Sequence, residues 1–229
     1  MYSYIKENHA RLTDELRELA SRCGRESVTL VAVTKSGTDE ELLALAALGV
    51  TDIGENRPQE LVRRGALLKE SGFSPRLHEI GNLQKNKVRQ IIESVYMIHS
   101  LSSYELALEI EKRAAAIGRN IPVLIEINSA REPNKGGIMP EDAEEFYLKV
   151  KELPHLTVSG LMTMGPVCED PEDIRPYLRA TRKLFDIIGE KHGWCGEPTL
   201  SMGMSDSYRI AIEEGATIVR IGHKIFEKR

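Results

Sequence analysis

Lys35 closes the apolar run Leu30-Val31-Ala32-Val33-Thr34-Lys35, where a lysine either borders a packed core or reaches into solvent. An amine held against apolar surroundings gives up its proton more readily and becomes a nucleophile, most often one that condenses with an aldehyde. Strand alternation puts Val31, Val33 and Lys35 on one face and Leu30, Ala32 and Thr34 on the other, so Lys35 can point inward at a strand end. A strand-end lysine snorkelling into water is the alternative, and the run alone leaves both open.

A second charged residue interrupts an apolar run near the C-terminus. In Thr217-Ile218-Val219-Arg220-Ile221-Gly222, Arg220 shares a face with Ile218 and Gly222, which sends a permanent charge inward or against a helix layer. It needs either a buried carboxylate or a ligand acceptor. Gly222 leaves room for backbone to approach a ligand, and its amide with that of His223 can form a small anion nest. Ser201-Met202-Gly203-Met204-Ser205 ends another apolar run and opens a predicted helix whose free amides favour an anion, although Ser205 serves equally well as an N-cap. A nucleophilic lysine together with two anion-suited loops describes an aldehyde bearing a phosphate. Glu55-Asn56-Arg57 adds polar groups, either for ligand contact or for turn formation. His78 and His99 fall near the ends of two further strands and raise the idea of a metal hydrolase. They form neither H-x-H nor H-E-x-x-H, so no metal site is expected.

Regular alternation of elements must position these residues. Ile5, Leu12, Leu16 and Leu19 predict an amphipathic helix over 4–22. Apolar strand candidates follow at 28–35, 50–54, 77–80, 95–98, 123–127, 157–162, 199–202 and 217–221. Helices are predicted between them: one opened by a Thr38/Glu41 capping box and stopped at Gly49, then 58–69, 84–94, 103–117, 141–152, 173–191 and 206–214. Strand and helix in strict alternation argue for a parallel sheet and, at this number, for a closed (β/α)8 TIM-type barrel behind an N-terminal helix. An open doubly wound sheet is the alternative. With no linker-like stretch, residues 1–229 are expected to form a single domain. Ligands of such barrels sit at the C-terminal strand ends, where Lys35, Ser205 and Gly222 fall.

Composition excludes several classes. The 31 Lys and Arg against 35 Asp and Glu leave a net charge of -4, unsuited to coating nucleic acid or an anionic membrane. Lys85, Lys87 and Arg89 read as a solvated helix face. No apolar stretch approaches the roughly 20 residues of a membrane span, and the N-terminus lacks a signal peptide's apolar region, so a cytoplasmic protein is expected. Cys23, Cys168 and Cys195 are odd in number and far apart, which predicts neither a disulfide framework nor a zinc knuckle.

Several motifs, in order, resemble the pyridoxal phosphate homeostasis proteins, single-domain relatives of the alanine racemase N-terminal barrel. They are Val31-Ala32-Val33-Thr34-Lys35, Gly54-Glu55-Asn56-Arg57-Pro58-Gln59-Glu60, His78-Glu79-Ile80-Gly81-Asn82-Leu83-Gln84-Lys85-Asn86-Lys87, His99-Ser100-Leu101, Leu200-Ser201-Met202-Gly203-Met204-Ser205 and Val219-Arg220-Ile221-Gly222. The resemblance implies that Lys35 forms a Schiff base with pyridoxal 5′-phosphate and that Ser205, Gly222 and His223 surround the phosphate. It also implies that Arg220 faces the pyridine nitrogen and that Asn56 lies beside the ring. The chain departs from the family's usual residues at His223 (a small hydroxyl residue), Glu227 (glycine), Leu77 (aromatic) and Ser207 (acidic). Loss of the hydroxyl at His223 matters most, since it removes a side-chain contact to phosphate.

An arginine at the ring nitrogen cannot accept its proton, which weakens the ring as an electron sink. The chain ends just after the eighth strand, so the tyrosine of the racemase's second domain has no counterpart and Lys35 is the one expected base. These points predict a monomeric protein that binds and supplies the cofactor, with apo forms of pyridoxal-phosphate enzymes as partners and no efficient catalysis of its own. A low-activity racemase-like enzyme is the alternative, and a Schiff-base aldolase on the same barrel a third reading.

Overall fold

A computed structural model describes residues 2–133 and 135–228; Met1, Asn134 and Arg229 of the expected unit lie outside them. Helix α1 (Ser3–Arg22) comes first, and the stripe of Ile5, Leu12, Leu16 and Leu19 is buried as predicted. Strands and helices then alternate: β1 (Thr29–Val33), α2 (Asp39–Ala46), β2 (Asp52–Glu55), α3 (Pro58–Glu70), β3 (Arg76–Glu79), α4 (Val88–Ile91), β4 (Met97–Leu101), α5 (Tyr104–Ala116), β5 (Ile121–Glu126), α6 (Ala143–Val150), β6 (Leu156–Met162), α7 (Arg175–His192), β7 (Thr199–Ser201), α8 (Tyr208–Glu213), β8 (Ile218–Ile221) and α9 (His223–Phe226). Neighbouring strands pair in parallel in chain order and β8 pairs with β1, so the sheet closes into the (β/α)8 barrel rather than staying open.

Local signals explain most boundaries. Thr38 Oγ1 accepts from the Glu41 N–H at 3.3 Å while the Glu41 carboxylate accepts from the Thr38 N–H at 2.7 Å, which satisfies two orphan donors of α2 reciprocally. Pro58 occupies the start of α3, where its missing N–H costs nothing. Ser103 caps α5 through the Leu106 N–H at 3.2 Å.

Two of the predicted helices that prove shorter have a visible local cause. In place of 84–94 there is a 3-10 turn, Lys85–Lys87, followed by α4. The N–H groups of Ser94 and Val95 both turn back to the Ile91 carbonyl, which diverts the chain into β4. The helix expected from 206 begins at Tyr208, because residues 204–207 first make a turn in which Ser207 Oγ accepts from the Met204 N–H at 3.1 Å. Ser205 therefore lies in that turn and is not an N-cap.

Apolar packing falls into two regions. Ala32, Ile53, Ile98, Ile125, Leu161, Leu200, Val219 and Ile221 meet the helices on the outside of the sheet. Inside the barrel the apolar cluster is small, with Val31, Met97, Leu124, Met162 and Ile218. Much of the remaining buried interior is polar, including Asp52, His78, His99, Ser201 and Arg220. Cys23, Cys168 and Cys195 are free thiols, and no helix among the described residues is long and apolar enough to cross a membrane.

One glycine controls closure on the β6 side. The β5–β6 register shifts between Val123 and Leu124, and Gly160 follows that irregularity. A Cβ on Gly160 would collide with the carbonyl oxygen of Thr199, so β6 reaches β7 because the side chain is missing. Gly160→Ala is expected to lower unfolding stability by about 2 kcal/mol or more in urea denaturation. An unchanged midpoint would show that the bulge absorbs the methyl group.

Candidate functional site at the C-terminal mouth

Strand β1 ends at Val33, so Lys35 sits in the following turn and is exposed rather than held within the apolar run. Val31 belongs to the interior cluster, which confirms the face assigned to it by alternation. Lys35 borders a cavity of ≈ 370 Å³ together with Ser36, Glu55, Asn56, Arg57, Glu60 and Arg64. A buried guanidinium holds the turn that carries it. Arg64, from α3, donates through Nη1 to Glu55 Oε1 at 2.9 Å and to the Thr34 carbonyl, and through Nη2 to the Gly37 carbonyl at 2.7 Å. Both ends of the Thr34–Gly37 turn are thus fastened to one side chain, and the Thr34 hydroxyl adds a bond to Glu55.

The other expected residues lie around the same rim. A Cβ on Gly222 would come within 2.5 Å of the Val33 carbonyl oxygen, so the glycine expected to make room for a ligand is first required for β8 to approach β1. That approach sets Gly222 beside the strand end leading to Lys35. His223 is exposed and opens α9, whose Phe226 ring packs over Gly37 in the lysine turn. The Arg220 N–H donates to the Gly203 carbonyl at 3.0 Å, tying the loop that contains half-buried Ser205 to β8. Asn56 follows β2, with its backbone packed so closely on Gly81 that a side chain there would strike it. The loops after β7, β8, β1 and β2, four consecutive strands, therefore carry Ser205, Gly222 with His223, Lys35 and Asn56.

Arg220 is buried inside the barrel. Its Nη1 donates to Ser201 Oγ at 2.7 Å and its Nη2 to the Thr163 carbonyl at 3.1 Å. Among the described residues no carboxylate pairs with it directly, so the ion pair weighed from sequence is replaced by neutral acceptors. Burial draws the guanidinium down to about 10, with Glu126 pulling the other way, and it stays charged at neutral pH. Two of its five N–H groups serve these contacts, and the others remain available for a ligand acceptor. His78 and His99 are not rim residues. They lie within the barrel and bond to one another at 2.9 Å, and no cluster of His, Cys, Asp or Glu among the described residues is arranged for a metal.

The family described as "Alanine racemase, N-terminal domain" matches residues 8–228. The chain is 40% identical over 225 residues to the pyridoxal phosphate homeostasis protein of Aquifex aeolicus, covering 97% of each. It is 35% identical over 228 residues to the protein of that name from Escherichia coli strain K12, covering 98% of this chain and 97% of the other. The chain belongs to the pyridoxal phosphate homeostasis protein family. The structure of PipY from Synechococcus elongatus PCC7942 with pyridoxal phosphate bound matches with a TM-score of 0.85 at 27% identity, covering 97% of this chain and all of PipY. Alanine racemase from Clostridium difficile 630 shares the fold, with a TM-score of 0.76 at 15% identity over 57% of its length.

Several residues that shape this family member's mouth escaped the sequence reading. Ser201 and Thr163 lie at or just past strand ends, a position that could have drawn attention to them. Arg64 is one of several helical arginines, and nothing in its spacing reveals the clamp. Glu79, opposite Glu55 in the β2–β3 pairing, is fully buried; its Oε1 accepts from the Gly81 N–H at 3.1 Å and its Oε2 has no partner among the described residues. Burial, abetted by Glu55 and opposed by the Gly81 amide, pushes the Glu79 carboxyl up to about 8.

The raised value has a definite sign. The native state keeps a proton that the unfolded chain releases, so stability falls as pH rises from about 4.5 to about 8. Glu79→Gln should be nearly neutral at about pH 4 and stabilising by ~1–3 kcal/mol at about pH 8, read from denaturation curves at both values. Equal effects at the two pH values would contradict the assignment. Arg64→Ala strands the buried Glu55 carboxylate, so a loss of about 3 kcal/mol is expected, with faster amide exchange across 34–37. Unchanged exchange there would remove the clamp role.

Proposed function

We propose that this chain binds pyridoxal 5′-phosphate at the C-terminal mouth of its barrel, holds it on Lys35, and serves to store and supply the cofactor in the cytoplasm. The observation that carries this reading is the clamped Lys35 turn next to the β7 and β8 loops, with the charged Arg220 buried below them. When bound, the cofactor supplies an aldehyde that condenses with a primary amine and a pyridine nitrogen that accepts a hydrogen bond.

The residues present fit such a group. Lys35 offers its amine from a turn fixed at both ends by Arg64, and Arg220 has donors beyond those given to Ser201 and Thr163. Because a guanidinium donates and does not accept, Arg220 keeps the ring nitrogen an acceptor and takes no proton from it. Ser205 and the backbone at Gly222 and His223 hold the phosphate, with the His223 imidazole in place of a hydroxyl, and Asn56 borders the ring. PipY has a matching fold over its whole length and was solved with pyridoxal phosphate bound, which supports this placement. Apo forms of pyridoxal-phosphate enzymes are the proposed recipients.

Adding pyridoxal phosphate to the purified protein is expected to produce an absorbance band in the near-ultraviolet to blue region that is absent in Lys35→Ala. No band with the unaltered protein would reject the binding site, and rapid amino-acid turnover at saturating cofactor would replace the supply role with an enzymatic one.

A further inference from the structure

A chain of polar side chains crosses the barrel interior from its N-terminal face to Arg220. Asp52 Oδ2 accepts from Arg76 Nη2 at 2.6 Å and from the Thr51 hydroxyl at 2.7 Å. Asp52 Oδ1 lies 2.8 Å from His78 Nε2, His78 Nδ1 lies 2.9 Å from His99 Nε2, and His99 Nδ1 lies 2.9 Å from Ser201 Oγ. Ser201 Oγ then accepts from Arg220 Nη1 at 2.7 Å. The side chains from Asp52 to Arg220 are buried, while Arg76 is exposed at the entrance of a cavity of ≈ 350 Å³.

The two ends constrain where the hydrogens sit. Burial would raise the Asp52 carboxyl, but hydrogen bonds from His78, Arg76 and Thr51 outweigh it and hold the group at about 2, so it is ionised and only accepts. His78 must therefore carry its hydrogen on Nε2. With a single N–H on His78, its Nδ1 is the acceptor and the hydrogen of His99 sits on Nε2. Burial and the nearby Arg220 charge keep His99 neutral, so with its hydrogen on Nε2 its Nδ1 accepts, and the group within reach is the Ser201 hydroxyl. With its hydrogen committed, Ser201 presents lone pairs to Arg220. A doubly protonated His78 would instead put the hydrogen of His99 on Nδ1, so that Ser201 Oγ accepted from both His99 and Arg220 and its own hydrogen lost its partner.

We propose that Asp52, His78 and His99 are positioning residues that, from the far end of the barrel, orient the Ser201 hydroxyl and thereby hold Arg220 where it meets the cofactor ring. The consequence for the ligand rests on the proposed cofactor site. The groups facing the two imidazoles are Asp52 on β2, Arg76 on β3, the Tyr96 ring at 5.4 Å from that of His78, Ser201 on β7 and Arg220 on β8.

Nitrogen-15 spectra of the cofactor-free protein test the arrangement, and titrations with pyridoxal phosphate test its effect. Both His78 and His99 should show the Nε2–H tautomer, and in Asp52→Asn, whose amide can donate as well as accept, an Nδ1–H population should appear at His99. Asp52→Asn and Ser201→Ala should each weaken cofactor binding about five- to tenfold, the net worth of one hydrogen bond, and the double variant should be no weaker than Ser201→Ala alone. An Nδ1–H tautomer in the unaltered protein, or additive losses in the double variant, would overturn the proposal. If Asp52→Asn does not fold, the spectra of the unaltered protein and the affinity of His99→Gln, expected to match Ser201→Ala, still decide it. Failure of the unaltered protein to bind the cofactor refutes the cofactor site and this positioning role, while the tautomers show whether the hydrogen arrangement survives.

Discussion

A guanidinium enclosed by eight strands must find acceptors or lose its place, and the barrel interior is organised around that requirement. Arg220 takes Ser201 and the Thr163 carbonyl as partners, both uncharged, so its charge is held without being neutralised at contact distance. A carboxylate in van der Waals contact would have made it a closed structural pair. Instead Glu126 acts from farther away, burial brings the group down only to about 10, and a donor-rich cation remains beneath the mouth. The small apolar cluster inside the barrel and the polar chain below Ser201 are what such a charge demands of its surroundings.

Closure of the sheet converts this buried charge into a site. Gly222 permits β8 to touch the end of β1, which sets the strand bearing Arg220 beside the turn bearing Lys35. Arg64 then fixes that turn from outside the barrel through the carbonyls of Thr34 and Gly37. Two arginines thus divide the work: Arg64 shapes the backbone that carries Lys35, and Arg220 lies buried inside the barrel. The amine itself is exposed.

The fold was legible because its signals are periodic and local. Alternation from Thr29 to Val33, the Thr38/Glu41 box and the Ser103 cap each mark a boundary that packing later respects. The N-cap alternative for Ser205 fails because a turn over 204–207 precedes α8, and hydrogen bonding within that turn has no periodic signature. At the site, Lys35 and Arg220 stood out as charges interrupting apolar runs. Arg64, Asp52 and Glu79 did not, since their importance arises from contacts between strands and helices distant in sequence. The histidines were visible as residue types, but their pairing inside the barrel depends on the register of β3 against β4.

A crystal structure of the protein after addition of pyridoxal phosphate addresses the account most directly. The account predicts density continuous from Lys35 Nζ to the cofactor's aldehyde carbon, the ring nitrogen at hydrogen-bond distance from Arg220, and the phosphate among the Ser205, Gly222 and His223 loops. Cofactor bound elsewhere, or at the mouth with its phosphate on Arg220, would contradict it.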